Sequence, residues 1–189
     1  MAAPTRGRIP PGQRPTSGWP ILHVGEIPPL DPKGWDIRIG GLVDTPLRFG
    51  WADLASLPRE SAVGDFHCVS GWTRSDIHWE GIRLRALAER AGVRPEARFA
   101  RFTDGGKYDT TLPLALALGP EVLLATHGGG GPLSPEHGGP LRLVVMRRYG
   151  WKSVKWLRTV DFLAEDRLGF WEVRGYSNAA DPWREERDA

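Results

Sequence analysis

The sequence predicts an α+β fold, in which short strands mix with short, scattered helices instead of alternating regularly as in a doubly wound sheet. Three observations carry this prediction. Apolar and polar residues alternate over 36–43 and then meet a glycine pair. Helical spacing of apolar residues appears only in brief windows, near 49–57, 82–91 and 113–118. Apolar runs of strand length stand at 122–126 and 141–146.

Taken in order, residues 1–18 are rich in Pro, Gly, Arg and Ser and read as a flexible tail, because such a segment buries too little apolar surface to order itself. Residues 36–43 read as a strand. Residues 49–57 have helical spacing and stop before Pro58. Residues 82–91 place Leu84, Leu87 and Ala88 on one face and Arg83, Arg85, Glu89 and Arg90 largely on the other, which predicts an amphipathic helix ended by Gly92. Strands are expected at 98–102, 122–126, 141–146 and 153–163, with a short helix over 113–118. The glycine-rich stretch 126–140 has the length of a binding loop, or of a surface excursion. Residues 184–189 read as a charged, solvated tail. The folded unit is therefore one domain over 19–183, with no internal repeat and no dividing linker.

A chain of 189 residues with 40% apolar content suffices for one substantial core. A formal net charge of +2 is too mild to indicate nucleic acid as a partner. No apolar run approaches the roughly 18 residues of a membrane span. The basic N-terminal stretch lacks the apolar body of a signal peptide. With a single cysteine, these features predict a cytoplasmic protein.

That cysteine, Cys68, has no internal disulfide partner. It is either a small buried hydrophobe or a reactive group. Ser70 and Gly71 leave room for a bulky group to approach the backbone, and Trp72 offers a wall. A soft thiolate favours a soft or high-valent metal. One thiolate does not close a zinc site, and neither CxxC nor HExxH occurs. Further ligands would have to come from elsewhere, most simply from a cofactor that brings its own sulfurs. The five histidines, His23, His67, His78, His127 and His137, show no metal-ligand spacing.

A second cluster gathers His137, Arg142, Ser153 and Lys155 with the backbone near Gly150. Arginine presents a planar fork that matches phosphate oxygens, and lysine, serine and backbone amides complete an anion cradle. The alternative is a strand with solvated basic side chains.

From Trp19 to Trp183 the chain resembles the sulfite oxidase-like molybdenum oxidoreductases, and within them the bacterial subgroup that includes the catalytic subunit of the periplasmic methionine-sulfoxide reductase. Phe66, Cys68, Val69 and Trp72 match the segment that carries the molybdenum-binding cysteine. Thr103 stands where the subgroup has a pterin-contacting threonine. His137 and Arg142 match the pair that approaches the pterin phosphate. Tyr149, Gly150, Lys152 and Lys155 match a YGxKxxK segment, with Ser153 and Val154 at the phosphate end. Gly169-Phe170-Trp171-Glu172 and Gly175-Tyr176 resemble the C-terminal segment, and His23 falls in a cofactor-contacting loop.

The resemblance implies a single sulfite oxidase-type molybdopterin-binding domain with mixed sheets and short helices. It implies no C-terminal dimerisation β-sandwich and no heme. The asparagine and paired arginines of eukaryotic sulfite oxidases are replaced by Gly71, Trp72, Thr73 and Arg74, so the sulfite-binding constellation is not reproduced. The implied cofactor is molybdenum held by molybdopterin, with Cys68 as metal ligand and catalytic residue. The implied cofactor-binding set is His23, Cys68, Thr103, His137, Arg142, Ser153, Val154 and Lys155. The expected reaction is a two-electron redox step or oxygen-atom transfer on a small substrate, with a separate electron-transfer protein as partner. Trp72, Arg74, Lys107 and Tyr108 are candidates for the substrate mouth or plain surface. The alternative from another class is a redox-silent molybdopterin-binding or carrier module. A cysteine hydrolase would need a base beside the thiol. His67, the sequence neighbour, points to the opposite face of a strand.

Overall fold

The computed structural model describes residues 8–29, 31 and 33–189. In chain order the strands are β1 (Arg14–Pro15), β2 (Asp36–Gly41), β3 (Leu47–Gly50), β4 (Glu60–Cys68), β5 (Trp72–Ile82), β6 (Phe99–Thr103), β7 (Asp109–Pro113), β8 (Val122–Gly128), β9 (Arg142–Val145) and β10 (Thr159–Leu163). The helices are α1 (Trp51–Ala55), α2 (Leu84–Ala91) and α3 (Leu114–Ala117), joined by several single 3₁₀ turns. The α+β expectation holds: two mixed five-stranded sheets with few, short helices.

The first sheet is built on β5. Antiparallel β4 runs along one edge of β5, and the other edge is shared by β1, parallel at Trp72–Thr73, and β8, antiparallel at Trp79–Ile82. β9 then pairs with β8. The second sheet has the order β3-β2-β10-β6-β7, and only its β2–β10 pair is parallel. The main core lies where the two sheets and α2 meet, with Ile37, Ile39, Leu87, Phe102, Leu143, Val154 and Phe162 among its members. The amphipathic pattern read from α2 is realised: Leu84, Leu87, Ala88 and Ala91 are buried, and Gly92 ends the helix at φ 66°, a left-handed conformation that glycine adopts without steric cost.

Three expected elements differ. Residues 49–57 begin as the end of β3, and helix starts only at Trp51, because Phe49 pairs with Ile37 across the sheet. Residues 153–158 are irregular and buried, so the strand expected over 153–163 is confined to β10. Residues 8–18, expected as part of a flexible tail, lie against β5: the Arg14 amide donates to the Gly71 carbonyl at 2.9 Å, and the Thr16 amide to that of Thr73 at 2.9 Å. The backbone edge of β5 left free by β8 supplies partners that composition does not reveal. Residues 1–7 of that tail lie outside the described residues. The charged C-terminal segment is also tied down, since the Ser177 amide donates to the Arg187 carbonyl and the Ala189 amide to that of Gly175.

Candidate active site

The β4–β5 hairpin positions the thiol. Cys68 faces Trp72 and Phe66 faces Arg74 across the ladder, so these four side chains share one face of the sheet while His67 and Thr73 take the other. Gly71 closes the hairpin at φ 91°, and its amide donates to the Cys68 carbonyl at 3.0 Å. The Cys68 Sγ lies 3.1 Å from the Ser70 Oγ.

On that face opens a cavity of about 290 Å³. Its walls include Trp19, Leu22, His23, Phe66, Cys68, Val69, Trp72, Tyr108, Arg142, Trp151, Ser153, Lys155, Trp156, Trp171 and Tyr176. Five of the nine tryptophans are among them, so aromatic surface dominates the lining.

Positive charge gathers around Arg142, and the Asp104 carboxylate also lines the cavity, beside Tyr108. Arg142, 1% exposed, donates to the carbonyls of His137 at 2.8 Å and Ser153 at 3.2 Å. Its Cζ stands 5.2 Å from the Phe66 ring centre and 5.9 Å from that of Trp19. No carboxylate pairs with it among the described residues. Burial therefore pulls its guanidinium down to about 10. Lys155 donates to the Glu136 carbonyl. Burial, then the nearby Arg142 charge, lowers its ammonium to about 8. Arg74 lies over Trp19, with Cζ 4.9 Å from the ring centre. His137 stacks on the same indole at 4.0 Å, and its Nε2–H donates to the Trp19 carbonyl at 3.2 Å. Burial holds its pKa down, against the pull of that carbonyl.

The same cavity holds the thiol. Val69, next to Cys68, packs with Tyr149, Trp151, Trp171, Tyr176 and Ala180, an uncharged and largely aromatic group. Nearby, the Tyr108 hydroxyl donates to the Trp151 carbonyl at 2.7 Å. Burial, and secondarily Glu172, drives its pKa upward.

The oxidoreductase molybdopterin binding domain family matches residues 24–171 of the chain. The chain belongs to this family. It is 43% identical to the uncharacterized oxidoreductase YuiH of Bacillus subtilis (strain 168), over 96% of this chain and 92% of that protein. It is 32% identical to the protein-methionine-sulfoxide reductase catalytic subunit MsrP of Campylobacter jejuni, over 74% of this chain and 52% of that one. Sulfite oxidase of Arabidopsis thaliana is 30% identical over 80% of this chain and 48% of its own length. The chain thus spans nearly all of the Bacillus protein and about half of the other two. Among solved structures, the sulfane dehydrogenase SoxCD from Paracoccus pantotrophus superposes with a TM-score of 0.67 at 26% identity, covering 74% of this chain and 41% of that one. This molybdopterin-binding domain is therefore an oxidoreductase of the sulfite oxidase-like family, and membership implies a molybdenum cofactor.

The residues fit such a group. An unpaired buried guanidinium with Lys155 and Ser153 beside it leaves positive charge uncompensated there, as a phosphate-bearing ligand requires. Among the described residues there is no cluster of three or more His, Cys, Asp or Glu suited to a metal ion, so a metal beside Cys68 must arrive with most of its ligands.

Of the residues expected from the sequence, His23, Cys68, Arg142, Ser153 and Lys155 meet at this cavity. His137 stands behind its wall, holding Trp19. Two depart. Thr103 lines a separate polar hollow with Arg101, Asp109 and Asp161, and its hydroxyl accepts the Gly105 amide at 3.2 Å. Phe102 points into the core, so strand alternation turns Thr103 to the other face. The Val154 side chain is buried in the main core, and its carbonyl accepts the Leu143 amide at 2.8 Å. Lys152 of the YGxKxxK match is fully buried against Glu172 and does not line the cavity. Among the mouth candidates, Trp72 and Tyr108 line the cavity, while Lys107 lines the separate hollow. Sequence reasoning passed over Trp151 and Trp156 as site residues. Their signal was the high tryptophan count. His67 bonds Thr73 at 2.9 Å on the far face, so the thiol has no adjacent base from it.

Proposed function

We propose that this domain is a molybdenum-cofactor-dependent oxidoreductase that performs a two-electron redox step, oxygen-atom transfer in particular, on a small substrate, with Cys68 as the protein's own ligand to the metal. The observation that carries the reading is one cavity that joins a buried guanidinium with no carboxylate partner among the described residues to a thiol flanked by aromatic side chains. When bound, the cofactor supplies the redox chemistry. Arg142 and Lys155 bind its phosphate, Arg142 as a rigid fork and Lys155 as a point charge. Ser153 and His23 line the same cavity, and His137 acts from behind by fixing Trp19. Cys68 fixes the metal from the protein side, and the Ser70 hydroxyl, donating to Sγ, stabilises the thiolate. Trp72, Trp151, Trp171 and Tyr176 exclude water and shape the space left for substrate. Tyr108 keeps its proton at neutral pH and commits it to the Trp151 carbonyl, which leaves the hydroxyl oxygen as an acceptor.

We take a separate electron-transfer protein as the redox partner. We place the protein in the cytoplasm on its single cysteine. No helix among the described residues is long and apolar enough to cross a membrane.

The test is X-ray absorption and elemental analysis on protein produced in a molybdenum-replete host. Near-stoichiometric molybdenum with one sulfur scatterer beyond those of the dithiolene, lost in Cys68→Ser, is the expected result. An unchanged sulfur shell in Cys68→Ser would refute the ligand assignment.

A further inference from the structure

On the face of the β4–β5 hairpin away from the cavity lies a chain of hydrogen bonds that the proposed chemistry does not use. Gln13, buried at 9% exposure, donates from Nε2 to the Cys68 carbonyl at 3.1 Å. Its Oε1 accepts the Thr73 hydroxyl proton at 3.3 Å. With that proton committed, Thr73 Oγ1 is left to accept, and the His67 Nδ1–H donates to it at 2.9 Å. His67 and Thr73 are directly opposed in the ladder, one residue from Cys68 and Trp72 respectively. The backbone adds two further ties, from the Arg14 amide to the Gly71 carbonyl and from the Thr16 amide to that of Thr73. The Cys68 carbonyl thus accepts twice, from Gly71 within its own turn and from Gln13 outside it.

We propose that Gln13 is a positioning residue for Cys68: its side-chain amide clamps the carbonyl of Cys68 to the hydroxyl of Thr73 across the back of the hairpin and so fixes where the thiol is presented. This rests on the reading of Cys68 as the metal's protein ligand. Rotation of the Cys68 peptide plane would swing Sγ, and the two acceptor contacts on its oxygen oppose that rotation. The Gln13 contact is the one made from outside the turn. Gln13 touches neither substrate nor cofactor. The Gln13 amide makes both of its contacts only in this arrangement, which restrains the hairpin, while the His67 Nε2 at the end of the chain is buried without a partner.

The experiment compares Gln13→Met, which keeps the length and removes both bonds, with Thr73→Val, which removes the hydroxyl behind Gln13 and leaves Cys68 untouched. Two readouts are taken on folded, full-length protein. In the cofactor-free form, alkylation of Cys68 by iodoacetamide should accelerate about threefold or more in Gln13→Met, the size expected from losing one buried hydrogen bond of ordinary strength. Thr73→Val should shift it in the same direction by less. In the molybdenum-loaded form at matched occupancy, the paramagnetic resonance spectrum of the metal should move in Gln13→Met. Folded variants with wild-type alkylation rates and an unchanged spectrum would overturn the proposal. So would loss of folding in both variants, which would assign the clamp a purely structural role. The alkylation readout needs no metal. A failure of the ligand assignment therefore shows up in Cys68→Ser, and a failure of the clamp shows up in Gln13→Met.

Discussion

The Arg142 guanidinium sits 5.2 Å from the centre of the Phe66 ring, deep in the protein, with carbonyls and aromatic faces around it and no carboxylate among the described residues. A buried charge in this state is a burden on the fold unless a ligand neutralises it. Its position at the cavity wall makes that ligand an anion.

Arg142→Met is therefore expected to separate loading from folding. Removing a charge-assisted contact worth about 1.5–3 kcal/mol should lower cofactor retention about tenfold or more. The melting of cofactor-free protein should change by only about 1 kcal/mol, since relief of the buried charge offsets the lost carbonyl contacts. Molybdenum content after gel filtration and a thermal melt check both halves. Wild-type molybdenum in the variant would refute the anion role.

Lys155 sets a pH dependence. Burial and Arg142 hold its ammonium near about 8 in the free protein, and a bound anion raises that value. Binding is then full below about 8 and falls as pH rises from there to the raised value of the complex. Cofactor retention measured from pH 7 to pH 10 should drop in the wild type. In Lys155→Met it should be weaker and flatter over the same range.

Lys152 and Glu172 form an ion pair at 0% and 1% side-chain exposure, and Thr110 donates to the same carboxylate at 2.8 Å. Glu172→Ala strands the ammonium and should cost about 3–5 kcal/mol in denaturant unfolding. The double variant Lys152→Met, Glu172→Leu should recover much of that loss. A small effect of Glu172→Ala alone would contradict the buried pair.

Gly150 lines the cavity, and a Cβ there would meet the Phe66 ring at 2.6 Å. Its backbone is not left-handed, so strain in Gly150→Ala comes from the ring alone. The expected cost is about 1–3 kcal/mol, with reduced molybdenum loading as Phe66 is pushed toward the cavity. Unfolding and metal analysis decide.

What the sequence made legible follows from how local each determinant is. The α2 helix and its Gly92 stop were readable because a 3.6-residue period and a left-handed cap are properties of adjacent residues. The rest of the fold was harder. Val154 and Leu157 mimic a strand pattern but are buried in irregular chain. Cys68, Arg142 and Lys155 stood out through the spacing of the family's motifs, since each residue taken alone also fits an ordinary structural role. The setting of Thr103 was not legible, because a sequence offset does not say which face of β6 a residue takes. Gln13 was hidden for a different reason: local composition there describes a tail, whereas its partner lies 55 residues away.

The ribbon from Gln13 to Val24 has a consequence for truncation. It meets the hairpin across 55 residues and His137 across 118. The sheets are no more local, since β10 runs beside β2 with Thr159 opposite Arg38. Cutting the chain back past Val24 would therefore strip the Trp19 wall from the cavity while leaving the β4–β5, β5–β8 and β8–β9 pairings in place.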